Sequence, residues 1–219
     1  MEVGLVGPRV GIPALNPFPF EPVGIFLTYP FVVAASGDAP YETMEELADH
    51  AQDNDVVLGH FGTFLIPTQV TLALAEKQGF SYSADVPFDA LDCNTLASGD
   101  ADVINTTLQL IRPCLDGLNV LASIGAERTA LTPDTPTVGE IDPELDIALW
   151  NGLFVHADTP ADVREKIAAV AKEVMVSDEA QKLSEETGAL VYWQPAEDAA
   201  AQIEKDGATL GTVAGLLAE

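Results

Sequence analysis

Positively charged residues are scarce in this sequence: 9 lysines and arginines stand against 35 aspartates and glutamates, and the formal net charge is −26 at pH 7. A charge of this size repels nucleic acid and anionic membranes, and it excludes both as electrostatic partners. The acidic residues are spread along the chain, so we interpret them as a solvated coat and not as one acidic binding face. Because 1 M salt screens charges beyond about 3 Å, the coat suggests the hypothesis of a salt-loving host.

Motifs for metal binding and catalysis are also missing. The sequence has no CxxC or HExxH spacing, no Gly-x-Ser-x-Gly elbow and no P-loop. We therefore predict a protein that is not an enzyme and has neither a metal site nor a cofactor. The two cysteines, Cys93 and Cys114, leave two interpretations open: a disulfide in an oxidising compartment, or two free buried thiols.

Long apolar runs are absent as well. No stretch of about 18 apolar residues occurs, so neither a transmembrane span nor direct membrane insertion is predicted. The first residues, 1–4, lack the basic and apolar regions of a signal peptide. Taken alone, this would indicate a cytoplasmic location, an expectation that the resemblance described below changes.

The most informative stretch that is present covers residues 56–80. A β-branched run ends at Gly59, Pro67 suits the first turn of a helix, and Gly79 suits the left-handed position after it. The intervening loop carries Gly59 and Gly62, where the backbone can bend and a ligand can approach. A strand, a glycine loop and a helix N-terminus together form a potential anion site. The alternative interpretation is a plain chain turn.

Strands and helices are predicted to alternate along most of the chain. We expect strands at 24–27, 31–35, 56–59, 82–88, 101–104, 118–124 and 190–193. Helices are expected after the capping box of Thr43 and Glu46 and at 67–78, 89–97 and 108–115. Further helices are expected from Thr159 as N-cap with Pro160 as first helical residue, from the cap Ser177 to Gly188, and after Pro195. The helix after Pro160 has an apolar face of Val163, Ile167, Val170 and Val174. This alternation predicts an α/β fold with largely parallel sheets.

Several longer motifs follow one another in a recognisable order. Residues 131–140 read LTPDTPTVGE, and they are followed by Trp150-Asn151-Gly152-Leu153-Phe154 and by Thr159-Pro160. Earlier in the chain, 59–66 read GHFGTFLI, 86–88 read VPF and 98–103 read SGDADV. The set resembles the substrate-binding receptors of tripartite tricarboxylate transporters, whose corresponding motifs are LPDVPTVAE, GSAGVGS, VPY and GGQVDV. The resemblance extends from about residue 18 to residue 211.

This resemblance implies a two-lobed, periplasmic-binding-protein-like α/β fold that closes on a small organic acid. In the family, two loops from different lobes hold the ligand carboxylate. One loop corresponds here to residues 59–63, and the polar groups after the VDV strand correspond to residues 105–107. The predicted ligand-binding residues are therefore Gly59, His60, Phe61, Gly62, Thr63, Asn105, Thr106 and Thr107.

The chain also departs from the family pattern. Family members begin with a secretion signal and a first-lobe unit that carries a GGGTD-like loop, and neither is found in this sequence. We therefore expect an incomplete first lobe formed by residues 1–30 and 148–219, and a second lobe formed by residues 31–147. The prolines before Phe31 and the apolar run 147–155 are the predicted crossings between lobes. A fragment, a miscalled start and a variant with half a cleft all remain open.

Individual candidates each have a second interpretation. His60 is a candidate partner for an anion, with polar surface as the alternative, whereas His50 and His156 are predicted to be surface residues. Phe61 and Phe64 fit either a ligand pocket or core packing.

Two threonines, a tryptophan and an arginine are further candidates. Thr106 and Thr107 fit either hydroxyl donors to a carboxylate or the N-cap of the next helix. Trp150 is predicted to pack against the strands that connect the two lobes. Arg112 is predicted to lie on the surface and not to clamp a carboxylate.

Two functions of different classes follow. The first is an extracytoplasmic solute receptor, periplasmic or at the cell surface, that binds a dicarboxylate, tricarboxylate or aromatic acid and passes it to the membrane subunits of a transporter. The second is a non-transport remnant or an intracellular ligand sensor with the same fold.

Overall fold

The computed structural model describes residues 3–6 and 19–218 of the chain. The predicted proline-rich positions Pro8, Pro13 and Pro17 lie outside the described residues. The chain folds into two compact units, each of which packs mainly against itself. The first contains the described residues up to Tyr29 together with Ala148–Ala208, and the second contains Pro30–Ile147 together with the residues from Thr209 onward.

The elements are named in chain order. The strands are β1 (Val3–Val6), β2 (Phe20–Thr28), β3 (Phe31–Ser36), β4 (Val57–His60), β5 (Ala84–Pro87), β6 (Val103–Thr107), β7 (Leu118–Ile124), β8 (Trp150–His156) and β9 (Leu190–Pro195). The helices are α1 (Met44–Ala51), α2 (Ile66–Lys77), α3 (Cys93–Ser98), α4 (Leu108–Ile111), α5 (Val138–Ile141), α6 (Ala161–Met175), α7 (Asp178–Thr187) and α8 (Ala196–Leu216). Short 3-10 segments cover Arg112–Gly117 and Pro143–Leu145. No helix in the described ranges is both long enough and apolar enough to cross a bilayer.

The first unit is built on a four-stranded sheet in the order β1-β8-β2-β9, and every neighbouring pair is antiparallel. Its core contains Ile25, Trp150 and Phe154, which are at most 1% exposed. Trp150 therefore packs in this core, and its indole Nε1 donates a hydrogen bond of 2.6 Å to Asp206 Oδ2. The same carboxylate accepts hydrogen bonds from Gln202 and from the amide of Ala148, so a fully buried acid anchors α8 to the sheet.

The second unit is built on a five-stranded sheet in the order β5-β4-β6-β3-β7. The pairs β5–β4 and β4–β6 are parallel, whereas β6–β3 and β3–β7 are antiparallel. One face packs around a cluster that includes Val32, Ile104, Leu91 and Leu108, all of them fully buried. The prediction of largely parallel sheets is thus wrong, because alternation of elements fixes neither the partner nor the direction of a strand that pairs over a long sequence distance.

The expected first lobe and the first unit differ at the C-terminus. The sequence assigned residues 148–219 to the first lobe, but the residues from Thr209 onward pack with the second unit. The hydroxyl of Thr209 donates a 3.1 Å hydrogen bond to the carbonyl of Asp146, which belongs to that unit.

Most helix ends lie where the sequence places them. The side chains of Thr43 and Ser177 each accept a hydrogen bond from an amide three residues later. Gly79, Gly99 and Gly188 follow helices with φ values of +78°, +73° and +74°. These positions are predictable because capping depends on residues within one turn.

Several local predictions are wrong. Glu46 accepts from the amide of Glu42 and not from that of Thr43, so the expected capping box is incomplete. Pro160, not Thr159, is the N-cap of α6, because the Pro160 carbonyl is the acceptor for the amide of Arg164. The helix predicted for 108–115 stops at Ile111, where Pro113 enforces a 3-10 turn.

The predicted apolar face of α6 is also only partly correct. Val170 and Val174 are 62% and 52% exposed, and Ala171 is buried in their place. The packed face is therefore rotated from the one that hydrophobicity alone indicates.

The two cysteines form a disulfide between Cys93 and Cys114. The bond joins the first residue of α3 to the 3-10 segment that follows α4. Of the two interpretations that the sequence left open, the paired state is the one found.

Candidate functional site

The two predicted ligand segments lie at one edge of the second unit's sheet. Strands β4 and β6 are parallel neighbours, with Leu58 opposite Val103 and Gly59 opposite Ile104. Because the carboxyl ends of parallel strands meet at the same edge, the loop 61–65 after β4 begins beside residues 105–107 at the end of β6. Helix α2 then starts from this loop, and its N-terminus lies at the edge where α/β sheets bind ligands.

His60 is buried and supports the loop from within. The residue is 1% exposed, its Nδ1 accepts a 2.9 Å hydrogen bond from the amide of Gly62, and its Nε2 lies 2.9 Å from Asp85 Oδ1. The polar-surface interpretation is therefore wrong. Because both ring nitrogens have protein partners, the imidazole is not free to pair with an anion as the sequence suggested.

Gly62 holds the sharpest bend of the loop. Its φ is +143°, and a Cβ placed there would lie 2.7 Å from Cε1 of Phe64. Its amide is committed to His60, and its carbonyl accepts a 3.1 Å hydrogen bond from the amide of Leu65. The sequence correctly indicates a glycine-dependent bend here, but the amide of this glycine already donates to His60.

Other backbone donors at this edge have no protein acceptor. In the described part of the chain, the amides of Thr63, Phe64, Ile66 and Thr68 make no hydrogen bond. Pro67 at the second helical position contributes no N–H, and Leu65 at the N-cap makes no side-chain cap. The amides of Ile66 and Thr68 belong to the first turn of α2, so the positive end of the helix dipole acts at the same place.

Thr68 is a candidate that the sequence interpretation missed. It is 1% exposed, and neither its amide nor its hydroxyl hydrogen-bonds within the residues that the structure describes. The available signal was its place as the third helical residue directly after Pro67, where an amide has no intrahelical acceptor.

The two phenylalanines of the loop have different positions. Phe61 is half-buried and packs against the core cluster of the second unit, as the core-packing interpretation predicted. Phe64 is 70% exposed and lies over Gly62. An exposed aromatic ring therefore flanks the unpaired amides.

Residues 105–107 alternate between the two faces of β6. Thr106 lies on the core-cluster face, where its hydroxyl donates a 2.7 Å hydrogen bond to the carbonyl of Leu91, so it is not a ligand donor. Thr107 is the N-cap residue of α4 but makes no side-chain cap, and its half-buried hydroxyl makes no hydrogen bond among the described residues. The capping interpretation is therefore right for the position of Thr107 and wrong for its side chain.

Asn105 has an unsatisfied acceptor. The residue is 1% exposed. Among the described residues, its Nδ2 makes one long contact of 3.5 Å with the carbonyl of Val32, and its Oδ1 has no partner. The parallel pairing of β4 with β6 places Gly59 opposite Ile104. The next residue of each strand, His60 and Asn105, therefore lie side by side on the same face of the sheet.

The residues predicted to lie at the surface are at least partly exposed. Arg112 is exposed, and His50 and His156 are partly exposed. The ring of His50 lies 5.3 Å from that of Tyr41, and His156 lies 3.5 Å from the carboxylate of Asp158.

The described ranges contain no cluster of three or more His, Cys, Asp or Glu residues placed to hold a metal ion.

The long motif at 131–140 has a structural role. Arg128 donates to the carboxylate of Glu140 at 2.9 Å and to the carbonyls of Pro133 and Asp134. Glu140 completes a capping box with Thr137, and the guanidinium beside it lowers the pKa of its carboxyl. The motif is therefore held in place by Arg128, three residues before it, and by its own Thr137 and Glu140.

Comparison with known proteins gives consistent results. A family model described as tripartite tricarboxylate transporter family receptor matches residues 16–214. An Agrobacterium vitis protein, described as a UPF0065 protein in the TAR-I ttuE-ttuC' intergenic region, is 25% identical over 166 residues, which make up 71% of this chain and 47% of that protein. The chain thus spans about half the length of this curated relative.

Solved structures show the same fold. A ligand-free TctC solute binding protein from Polaromonas is 19% identical with a TM-score of 0.80, over 98% of this chain and 77% of that one. MatC from Rhodopseudomonas palustris, solved with bound malate, is 22% identical with a TM-score of 0.69, over 98% and 77% of the two chains. These similarities confirm the predicted α/β solute-binding-protein fold.

The family model covers residues 16–214, which is most of the sequence. The chain belongs to the tripartite tricarboxylate transporter receptor family.

Proposed function

We propose that this chain binds a small organic carboxylate as the extracytoplasmic receptor of a tripartite tricarboxylate transporter. The observation that carries the proposal is a set of donors at one sheet edge that have no acceptor among residues 3–6 and 19–218: the amides of Thr63, Phe64, Ile66 and Thr68 and the hydroxyl of Thr107. A carboxylate has about four lone-pair sites and is matched by several converging donors. Family membership and the malate bound to MatC support the same class of ligand.

These donors can hold an anion without a positively charged side chain. Two cations of the second unit are occupied elsewhere: Lys77 pairs with Glu144, and Arg128 pairs with Glu140. Oriented N–H dipoles act at short range, while the distant acidic coat is screened by salt. The site should therefore prefer carboxylates despite the net charge of −26.

The disulfide bears on the location. Disulfides persist in oxidising compartments and are rare in the cytosol. The pair Cys93–Cys114 therefore favours a receptor outside the cytoplasm over an intracellular ligand sensor. Membrane subunits of the transporter are the partners that this function requires.

Titration calorimetry tests this function. Malate, citrate and benzoate represent the dicarboxylate, tricarboxylate and aromatic classes, and putrescine serves as the cationic control. We expect saturable binding of at least one carboxylate and none of putrescine. The variant Thr107→Val should bind that carboxylate about tenfold more weakly, the expected loss for one hydrogen bond to a charged group.

The matched control is Thr212→Val, which removes a hydroxyl from an exposed position on α8. This variant should bind like the wild type. Saturation by putrescine and by none of the acids would refute a carboxylate receptor.

A further inference from the structure

We infer that His60 is a positioning residue for the ligand loop 61–65 and that Asp85 fixes its ring. The consequence for binding rests on the proposed function, whereas the effect on the loop does not. The core of the inference is a chain of two hydrogen bonds, from the amide of Gly62 to Nδ1 and from Nε2 to Asp85, each 2.9 Å long.

The first bond selects one tautomer of the imidazole. A backbone amide can only donate, so Nδ1 must be the acceptor and the ring proton must be on Nε2. That proton then points to the carboxylate of Asp85, which accepts it. A doubly protonated ring would place two N–H donors against each other at Gly62.

The same bond satisfies a buried amide at the strained point of the loop. Gly62 is buried and has a φ of +143°, a conformation that residues with a side chain rarely adopt. Two further bonds fix the ends of the loop, from Phe88 to the carbonyl of His60 and from Leu65 to the carbonyl of Gly62. His60 therefore sets the direction of the chain just before the unpaired amides of Thr63 and Phe64.

Asp85 connects this buried ring to the surface. Its side chain is 45% exposed and lies on β5, the edge strand of the sheet. A carboxylate that accepts from one nitrogen fixes the orientation of the other, as occurs when metal-bound histidines are held by a neighbouring acid. The loop is thus preorganised by an interaction that begins outside it, and preorganisation lowers the entropic cost of binding.

Two substitutions of His60 distinguish the roles of its two ring nitrogens. His60→Asn retains an acceptor near the position of Nδ1, and His60→Gln retains a donor near the position of Nε2. Amide hydrogen exchange, followed by NMR on the full chain without ligand, reports the Gly62 bond directly. We expect exchange at Gly62 about tenfold faster in His60→Gln and within about threefold of the wild type in His60→Asn.

Equal exchange in His60→Gln and the wild type would overturn the inference. So would equally fast exchange in the two variants, because ring volume and not the acceptor would then control the loop. Asp85→Ala gives a further test at a half-exposed position, where folding is not at risk. We expect exchange at Gly62 about threefold faster than in the matched control Asp89→Ala, an exposed aspartate two residues after β5. Equal rates in these two variants would also overturn it.

Malate binding distinguishes a positioning role from a merely structural one. We expect His60→Gln to weaken malate binding about tenfold at unchanged circular dichroism, and His60→Asn to restore it. Equal affinities in the two variants would refute the role in binding. If the wild type binds none of malate, citrate and benzoate, the proposed function fails, and exchange at Gly62 still decides whether His60 holds the loop.

Discussion

At the scale of the residue, the face of the strand on which a side chain lies decides whether it is available at the proposed ligand site. Thr106 and Thr107 are adjacent and chemically identical, yet the first donates to the carbonyl of Leu91 and the second has no hydroxyl partner in the described part of the chain. The loop shows the same division between Gly62, whose amide is bonded to His60, and Thr63, whose amide has no acceptor among the residues that the structure describes. Hydrogen-bonded and unpaired groups therefore alternate along this part of the backbone.

The carboxyl of Asp206 provides a residue-scale prediction of pH dependence. Burial raises its pKa, against the lowering effects of Gln202, Trp150 and the amide of Ala148. The folded chain therefore holds the proton of Asp206 more tightly than the unfolded chain does. The stabilisation that results is fully present below the pKa of Asp206 in the unfolded chain, and it is lost as the pH rises through the pKa in the folded chain. We expect the free energy of unfolding of the wild type, relative to Asp206→Asn, to be greater at pH 3.5 than at pH 6 (about the range in which carboxyls titrate).

Urea denaturation of both proteins at the two pH values measures this difference. The comparison cancels the many other carboxylates, which titrate alike in both proteins. At pH 6 the variant should still be about 1–3 kcal/mol less stable than the wild type, because an amide in place of the carboxylate leaves a buried donor without an acceptor. A relative stability of the wild type that increases from pH 3.5 to pH 6 would contradict the raised pKa.

Single residues were predictable where their backbone role is local. Gly62 and Gly79 were identified as bends because few other residues adopt positive φ. The ring contacts of His60 were not predictable, since Asp85 is 25 residues away in sequence and is brought near only by the pairing of β4 with β5. For the same reason, the sequence did not predict Asp206 as the hydrogen-bond partner of Trp150.

At the scale of the element, α3 and the 3-10 segment after α4 are joined by the disulfide. Cys93 and Cys114 are separated by 21 positions, and this cross-link restricts the unfolded chain. A closed loop of this size contributes roughly 3 kcal/mol to stability in the chain-entropy model. The bond therefore stabilises the elements that flank β6 and the site.

We expect reduction of this disulfide, or the double change Cys93→Ser and Cys114→Ser, to lower the free energy of unfolding by about 3 kcal/mol. Urea denaturation with and without a reductant measures the effect. The double variant with added reductant is the control and should show no further loss. Identical midpoints for the oxidised and reduced wild type would mean that the link does not stabilise the fold.

Elements were predictable to the extent that their signals are local. The strand predicted at 118–124 matches β7, and Ser177 and Gly188 bound α7 as expected. Strand order and direction were not predictable, because the partners of β3 are β6 and β7, many residues later. For the same reason the sequence assigned residues 59–63 and 105–107 to one ligand site only through the family resemblance. The parallel pairing of β4 with β6 brings the ends of these two strands to the same edge.

At the scale of the whole molecule, charge is the dominant feature. Side chains pair through a few ion pairs, such as Lys77–Glu144, Arg128–Glu140 and Arg164–Glu21, but carboxylates outnumber cations nearly fourfold. The surplus repels itself unless salt screens it. The salt-loving host remains a hypothesis that follows from this balance.

We expect the far-ultraviolet circular dichroism of the folded chain to be present in molar salt and to be lost on dialysis into low salt, because the Debye length grows from about 3 Å at 1 M to about 30 Å at 0.01 M. Low-salt buffer with added sucrose is the control: sucrose favours the compact state but does not screen charge. An unchanged spectrum in low salt without sucrose would contradict the hypothesis.

The central claim is that the unpaired amides at the edge of the second unit bind a carboxylate. The most direct test is a titration of the ¹⁵N-labelled chain with the acid that calorimetry selects, followed by amide chemical shifts. The account predicts saturable shifts at Thr63, Phe64, Ile66 and Thr68, with an unchanged signal for Thr212. Saturable shifts confined to residues away from this edge, or none with any carboxylate, would contradict it.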